Sequence, residues 1–335
     1  MKVSRGIVST LILASLLATV GCGIPGDLTP GPKVTITASA MPSKTYKDLI
    51  VGYVQLGDES EWRSANSASV KEAAAGLGVE LRFSDAQQKQ ENQIQAIRSL
   101  IAQKVDVIGV APIVETGWTA VFQEAKEAGI PIILVDRRAA VPQELYVSLM
   151  GSDFFEEGRK AGRIMAELTD GQANIVELQG TSGSAPANDR YLGFREVIKE
   201  YPGMKIIESE DGNFTVAKGK EVMENFLNNH GEKITALYAH NDDMALGAIK
   251  AIEEYGLEPA VDIKIVSVDA VRGAFEAMIA GNLNATVECN PLLGPKFLEL
   301  ALKVVNGESI PKWIPSEEGV FFPDNAAEIL PTRRY

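Results

Sequence analysis

The segment ALYAHNDDMALGA, residues 236–248, ends an apolar run in His240, Asn241, Asp242 and Asp243 and then turns at once into a helix-like pattern. Four such side chains could ligate a metal, move a proton, cap a helix or grip a ligand rich in hydroxyls. A metal is the poorest fit. The chain has two histidines, His230 and His240. His240 and Asp242 are alternate residues that point to opposite sides of a strand end, and no third ligand stands nearby. Reaction chemistry fares no better. GTSGS at 180–184 is not the G-x-S-x-G elbow of a nucleophilic serine, and no base accompanies Ser182. No activated cysteine or Schiff-base lysine stands out. No catalytic residue, metal or cofactor is expected, which leaves helix capping and hydroxyl binding.

The same residue types recur wherever an apolar run ends. GDESEWR (57–63) supplies Glu59, Ser60, Glu61, Trp62 and Arg63; IPIILVDR (130–137) ends in Asp136 and Arg137. Further on come Ser152-Asp153-Phe154, QGTSGSAPANDR (179–190) with Asp189 and Arg190, GNFT (212–215), Asn241-Asp242 and Asp269. Asp, Asn and Arg can each engage two neighbouring hydroxyls, and Trp offers a flat apolar face to the C–H side of a sugar ring. Each also has a plainer role. Asp242 is a good helix N-cap, Asp58 or Ser60 could cap the first helix, and Asp136-Arg137 could be a structural ion pair. Trp118 reads as packing, while Phe154 and Phe214 fit core or ring stacking equally. Their shared placement is the argument, since open α/β sheets bind ligands beyond the carboxyl ends of their strands.

The elements that would position these residues alternate along the chain. Strand-like runs at 49–56, 79–85, 105–112, 130–137 and 145–150 are followed by a second series at 174–180, 205–211, 235–241, 263–270 and 285–289. Helical patterns lie between them; ENQIQAIRSLIAQ puts Ile94, Ile97, Leu100 and Ile101 on one face. This alternation specifies an α/β architecture of two doubly wound parallel-sheet domains. A late helix at 292–307 is expected to return to the first domain, so the chain would cross near 151–153, 289–291 and 313–316. The expected lobes are 48–151 with about 291–313, and 152–290 with about 314–330.

The chain of 335 residues carries a formal charge of −13, with no cluster of Lys and Arg of the kind nucleic acid requires. A composition 45% hydrophobic and 23% charged excludes a disordered chain. The first 21 residues read as a signal peptide: Lys2 and Arg5, an apolar run from Gly6 to Val20, then Gly21-Cys22. Thr19-Val20-Gly21-Cys22 resembles a lipoprotein box, in which Cys22 would be acylated and become the first residue. Removing Lys2 and Arg5 takes −13 to −15. Residues 22–47, rich in Pro, Gly, Ser and Thr, read as a flexible tether from that lipid anchor. Cys289 then has no disulfide partner and is expected to be a small buried residue.

Several segments together resemble a known family. DAQQKQENQIQAIRSLIAQKVDVIGVAPIVETGW, IPIILVDR, IVELQGTSGSAPANDR, FTVAKGKEVMENFL and YAHNDDMALGAI are similar to the ribose-type sugar-binding proteins of bacterial ABC importers. GDESEWR, QENQI, TGW and AHNDDM point to their galactofuranose branch. The resemblance spans about 48–330 and implies a type I periplasmic-binding-protein fold, two lobes joined by a three-strand hinge. It implies a monosaccharide held by Glu59, Trp62, Arg63, Asp136 and Arg137 from one lobe and Asp189 or Arg190, Asn241 and Asp269 from the other. Ser60 and Glu61 would lend contacts from the same loop. Asn241 would bind sugar, Asp242 would cap the next helix, Asp243 would sit in its first turn and His240 would point away. The implied partner is an ABC permease, and the implied protein an extracytoplasmic monomer.

Asp58, Glu61, Phe154, Asn188 and Ala270 depart from the family pattern, with Ala270 standing where Gly is usual. Three rivals remain to be separated from a transporter component. A sugar or autoinducer-2 sensor differs only in its docking partner, a repressor core needs an amino-terminal helix-turn-helix, and a sugar-modifying enzyme needs turnover.

Overall fold

The computed structural model describes residues 43–335; the expected signal peptide, Cys22 and most of the expected tether lie outside the described residues. In chain order the first lobe contains β1 (Ile50–Gln55), α1 (Glu61–Leu77), β2 (Glu80–Asp85), α2 (Gln90–Ala102), β3 (Val107–Val110), α3 (Thr119–Glu127), β4 (Ile132–Val135) and β5 (Ser148–Gly151). The second contains α4 (Phe154–Leu168), β6 (Gln172–Gln179), α5 (Ala185–Ile198), β7 (Gly203–Asp211), α6 (Val216–His230), β8 (Ala236–Ala239), α7 (Asp242–Tyr255), β9 (Lys264–Asp269), α8 (Arg272–Ala280) and β10 (Ala285–Glu288). The chain then returns with α9 (Gly294–Val305) and β11 (Trp313–Pro315) to the first lobe, and ends with β12 (Val320–Phe321) and α10 (Pro323–Ile329) on the second.

Each lobe is built on a six-stranded sheet, ordered β11-β5-β4-β3-β1-β2 in the first and β12-β10-β9-β8-β6-β7 in the second. Position by position the two orders correspond, so β4 in one lobe occupies the place of β9 in the other. The pairings are parallel except β10 with β12. In both sheets the strand order reverses beside the first strand of the series, the place where doubly wound sheets open a crevice.

The period of two along β1 shows how one strand serves two cores. Leu49, Val51 and Tyr53 join the cluster under α1 and α9, while Val54 and Leu56 join the one under α2 and α3. Both faces of the sheet are therefore covered, as a parallel sheet requires. Two glycines permit the close approach: a Cβ at Gly52 would meet Leu100 at 2.6 Å, and one at Gly109 would meet Phe297 at 2.5 Å. On α2, Ile97 and Leu100 are buried as the periodicity predicts, and Ile94 and Ile101 pack at the margin. Trp118 is wholly buried with its Nε1 donating to the Val114 carbonyl at 2.7 Å, so it packs and does not bind.

The tether expected up to residue 47 is shorter than the sequence implies. Thr45 caps a 3-10 turn at Tyr46–Asp48, and Lys44 exchanges hydrogen bonds with the Asn306 side chain at 2.8 and 3.0 Å. A Lys44–Asp106 ion pair completes the attachment, and Ile50 N–H also donates to Asp106 at 2.8 Å. These links are separated by up to 262 residues in sequence and carry no local signal.

Three crossings join the lobes, one between β5 and α4, one between β10 and α9, one between β11 and β12, and they are stitched to each other. Ser316 N–H donates to the Gly151 carbonyl at 2.7 Å, and Ser152 Oγ donates to the Glu318 carboxylate. Asn290 N–H donates to the same Glu318 carboxylate at 3.1 Å, and Cys289 Sγ lies 3.2 Å from Ser152 Oγ. One side chain, Glu318, thus binds the other two crossings. Burial, reinforced by Glu157, pushes it up to about 8. It holds its proton at neutral pH and needs no counter-ion.

The backbone is strained where two strands end. Asp136 after β4 has φ of 67°, Asp269 at the end of β9 has φ of 121°, and Ala270 has φ of 59°. A Cβ-bearing residue in the left-handed region costs about 1–2 kcal/mol, which accounts physically for glycine being usual at the Ala270 position. Ala270→Gly should leave stability unchanged or raise it by up to about 1 kcal/mol, because relief of strain outweighs added unfolded-state entropy. Ala248→Gly, equally buried but inside α7, should cost about 1 kcal/mol. Urea unfolding of the two variants checks the contrast, and equal losses would refute the strain.

Candidate functional site

Both sheets direct the carboxyl ends of their strands at one another, and a cleft with about 270 Å³ of empty space, solvent at its mouth included, lies between them. From the first lobe it is lined by Glu59, Ser60, Trp62, Arg63, Asp136 and Arg137; from the second by Phe154, Pro186, Arg190, Phe214, Asn241 and Asp269; and from a crossing by Cys289.

The first-lobe wall is a closed circuit of opposite charges. Arg63 donates to Asp136 at 2.7 Å and Arg137 to Glu59 at 2.8 Å, while the second diagonals, Arg63–Glu59 and Arg137–Asp136, measure 3.6 and 3.8 Å. All four groups are buried, 2–4% exposed in their side chains. Burial opposes the charge on Arg63, but Asp136 and Glu59 more than offset it and leave its pKa above the usual value. Arg137 goes the other way: burial prevails, assisted by Arg63, and its pKa falls. Among the described residues, Arg63 Nε and Arg137 Nε are buried donors without a hydrogen-bond partner.

The second-lobe wall centres on Arg190. Its Nε donates to Glu157 at 2.7 Å, one terminal nitrogen donates to the His240 carbonyl at 2.5 Å, and the other reaches Asp269 at 3.4 Å. Burial works against the guanidinium, yet Glu157 and Asp269 hold its pKa well above normal. Asp269 is itself pushed well up by burial, against Arg190, with Asp242 and Glu157 adding repulsion. Three apolar faces complete the lining. Trp62 is held by its Nε1 donating to the Cys289 carbonyl at 2.6 Å. Phe154 faces the Arg190 guanidinium at 5.3 Å, and Phe214 faces Arg137 across the cleft at 5.2 Å.

Nine of the residues singled out from sequence therefore meet at one cavity, and two do not. Asp189 turns outward into an ion pair with Arg138, which also binds Glu115 at 2.5 Å; its long reach across the rim removes it from the lining. Glu61 points toward α8 at the cleft mouth, because it shares the first turn of α1 with Trp62 and Arg63, which project inward from the other side of that turn. The assignment of Asp242 as a helix cap is also corrected. Asn241 is the N-cap, its Oδ1 accepting from Met244 N–H at 3.0 Å while its Nδ2 donates to the Phe214 carbonyl at 3.1 Å. Asp242 is buried one position later, where it accepts from Ser267, Thr286 and Val271 N–H, tying α7 to β9, β10 and the turn before α8. His240 does point away, its ring lying 3.3 Å from Glu177. Ser60, not Asp58, caps α1.

Four lining residues were not foreseen as binders. Phe154 and Phe214 were undecided between core and cleft, and only the lobe contact decides it. Pro186 carries no polar signal, and Cys289 is buried as expected but also faces the cavity. Glu157, Cys289 and Glu318 lie close together, but Glu157 is already paired with Arg190 at 2.7 Å and burial keeps Glu318 neutral, which leaves a poor donor set for a metal ion.

Residues 51–309 match the model of the periplasmic binding protein domain. The chain belongs to that family. It is 44% identical over 307 residues to the galactofuranose-binding protein YtfQ of Escherichia coli, covering 90% of this chain and 96% of that one. Among solved structures, the binding component of the arabinose ABC transporter from Shewanella sp. ANA-3, bound to α- and β-L-arabinofuranose, is 49% identical with a TM-score of 0.83, covering 85% and 95%. A Mycobacterium smegmatis protein in complex with β-D-fucofuranose is 48% identical with a TM-score of 0.84, covering 86% and 95%. This periplasmic binding protein is thus not an enzyme; its two lobes and their hinge are the type I arrangement of the family. No helix among the described residues is long and apolar enough to cross a membrane.

Asn241 has two jobs that substitution can separate. Asn241→Ala should lower stability by about 1–2 kcal/mol through the lost cap, and Asn241→Ser should recover most of that while still losing the bond to Phe214. Chemical denaturation measures the first; equal losses in both variants would contradict a capping role.

Proposed function

We propose that this chain is the sugar-binding lipoprotein of an ABC importer, anchored through Cys22, which takes a neutral monosaccharide in its furanose form, galactofuranose first, and presents it to a permease. The carrying observation is the balance of charge in the cavity. Each of the three guanidinium groups is already paired with an acid, Arg63 with Asp136, Arg137 with Glu59 and Arg190 with Glu157, so a neutral, hydroxyl-rich guest is favoured over an acid or a phosphate. The unpartnered Nε donors of Arg63 and Arg137 suit hydroxyl oxygens, and a buried donor left without an acceptor costs about 1–3 kcal/mol. Trp62, Phe154 and Phe214 supply faces for the C–H side of the ring. The furanose ligands of the two solved relatives support the ring form. Closing the lobes is then the whole mechanism: the sugar stabilises the closed state by contacts that the open state cannot make.

Calorimetric titration after unfolding and refolding tests this. D-Galactose and L-arabinose should bind at micromolar concentrations or below, while galacturonate and a galactoside locked as pyranose should not. Asp136→Ala should weaken galactose at least tenfold, since it leaves Arg63 buried without its partner. Ribose or xylose binding more tightly than galactose would discard the sugar assignment, and the locked pyranoside binding as well as galactose would discard the ring form.

A further inference from the structure

Glu61 and Asp243, two acids that the sugar cavity does not use, meet across the mouth of the cleft. Asp243 stands in the first turn of α7 on the second lobe, 7% exposed, and both of its carboxylate oxygens lie 3.2 Å from the Glu61 N–H. That N–H is the first of α1 on the first lobe, one of the donors a helix leaves unpaired at its start. Glu61 returns the contact. Its carboxylate faces the Gly273 N–H in the first turn of α8 on the second lobe, where a Cβ on Gly273 would come within 3.5 Å of it. Each carboxylate therefore sits at the N-terminus of a helix in the opposite lobe: Asp243 at α1, which already has its own cap in Ser60, and Glu61 at α8, whose N-cap Val271 offers no side-chain cap. Neither contact survives separation of the lobes.

We propose that Glu61 and Asp243 form a crosswise latch that stabilises the closed lobes, and that Asp243 makes closure, and with it sugar affinity, proton-linked. The groups around Asp243 are mostly of its own sign: Asp242 on its own helix, and Glu61 and Glu59 from the first lobe. On α8, Glu276 repels Glu61 and Arg272 attracts it, but the Arg272 guanidinium is spent on the carbonyls of Leu330 and Arg333 at 3.0 Å each. Arg63 and Arg137 are committed to Glu59 and Asp136. No cation forms an ion pair with Asp243 among the described residues.

Burial pushes Asp243 up to about 7, against the Glu61 N–H and with Asp242, Glu61 and Glu59 adding to it. Opening the cleft returns the carboxyl to water and to the ordinary carboxylate range. The closed state therefore binds a proton that the open state lacks at mildly acid pH. The latch contributes in full below the ordinary carboxylate range and its contribution is lost as pH rises through about 7. Glu61, raised by its own burial, acts in the same direction.

The inference rests on the sugar-binding reading, and the test separates the two. Galactose affinity of the full chain, measured from pH 8 to pH 5, should tighten by about tenfold or more, with proton uptake visible as a dependence of the binding heat on buffer ionisation near pH 6. Asp243→Asn, which can still accept from the Glu61 N–H but cannot titrate, should bind independently of pH and at least as tightly as the wild type does at pH 5. Asp243→Ala should bind more weakly at pH 5. A wild-type affinity indifferent to pH, or a pH dependence that survives in Asp243→Asn, overturns the latch. If no sugar binds, the functional reading fails, and X-ray scattering of the sugar-free protein decides the latch. Wild type should then be more compact at pH 5 than at pH 8, and Asp243→Asn equally compact at both. Identical behaviour of the two proteins overturns it.

Discussion

Closing two lobes over this cleft takes three guanidinium groups and their carboxylate partners out of water, and the architecture depends on their mutual pairing. A buried ion deprived of its partner costs about 3–5 kcal/mol. The circuit of Arg63, Asp136, Arg137 and Glu59 therefore behaves as a unit. Its members come from the ends of two strands and the start of one helix, so the sheet order that sets β1 two places from β4 is also what makes the circuit possible. Arg190 solves the same problem differently. It borrows Glu157 from α4 behind it and so keeps one face toward the cavity. The wall of each lobe is electrostatically complete before a guest arrives, and the guest meets donors and acceptors already aimed. Pre-organisation of this kind reduces the ordering cost of binding.

The strained turns belong to the same account. Asp136 and Asp269 occupy corresponding places after β4 and β9, and both lie at positive φ. A strand that simply continued would carry the next side chain past the cavity. The left-handed turn instead holds the carboxylate at the sheet edge, and the surrounding core must over-determine it. Gly151 shows how tightly: a Cβ there would meet the Asp136 backbone at 2.8 Å.

Much of this was legible in the sequence, for a definable reason. Strand and helix follow from the period of apolar residues, so the two series of strands and the return of α9 to the first lobe could be read directly. Strand ends follow too, and with them Glu59, Trp62, Arg63, Asp136, Arg137, Arg190, Asn241 and Asp269 at the cleft. What failed was choice among neighbours. Asp242 and Asn241 are both capping residues; the tertiary demand of Ser267 and Thr286 decided which one the helix could use. Asp189 and Arg190 are adjacent on α5, and only the direction of each side chain sends one to the rim and the other inward. The docking of Lys44 on Asn306 and the knot of Ser152, Asn290 and Glu318 join residues 28 to 262 positions apart and leave no pattern to find.

The hinge and the mouth of the cleft are chemically matched opposites. At the hinge, Glu318 keeps its proton up to about 8, so the crossings are held to one another by a neutral side chain. At the mouth, Asp243 sits near 7 for the same reason, burial, but its burial is created by closure and removed by opening. A neutral knot at the pivot leaves the geometry of rotation independent of conditions across the mildly acid and neutral range. An ionisable contact at the far end, where a small rotation produces the largest separation, couples the extent of closure to solvent. The position of each carboxyl along the lever, more than its intrinsic chemistry, determines whether it anchors the motion or senses it.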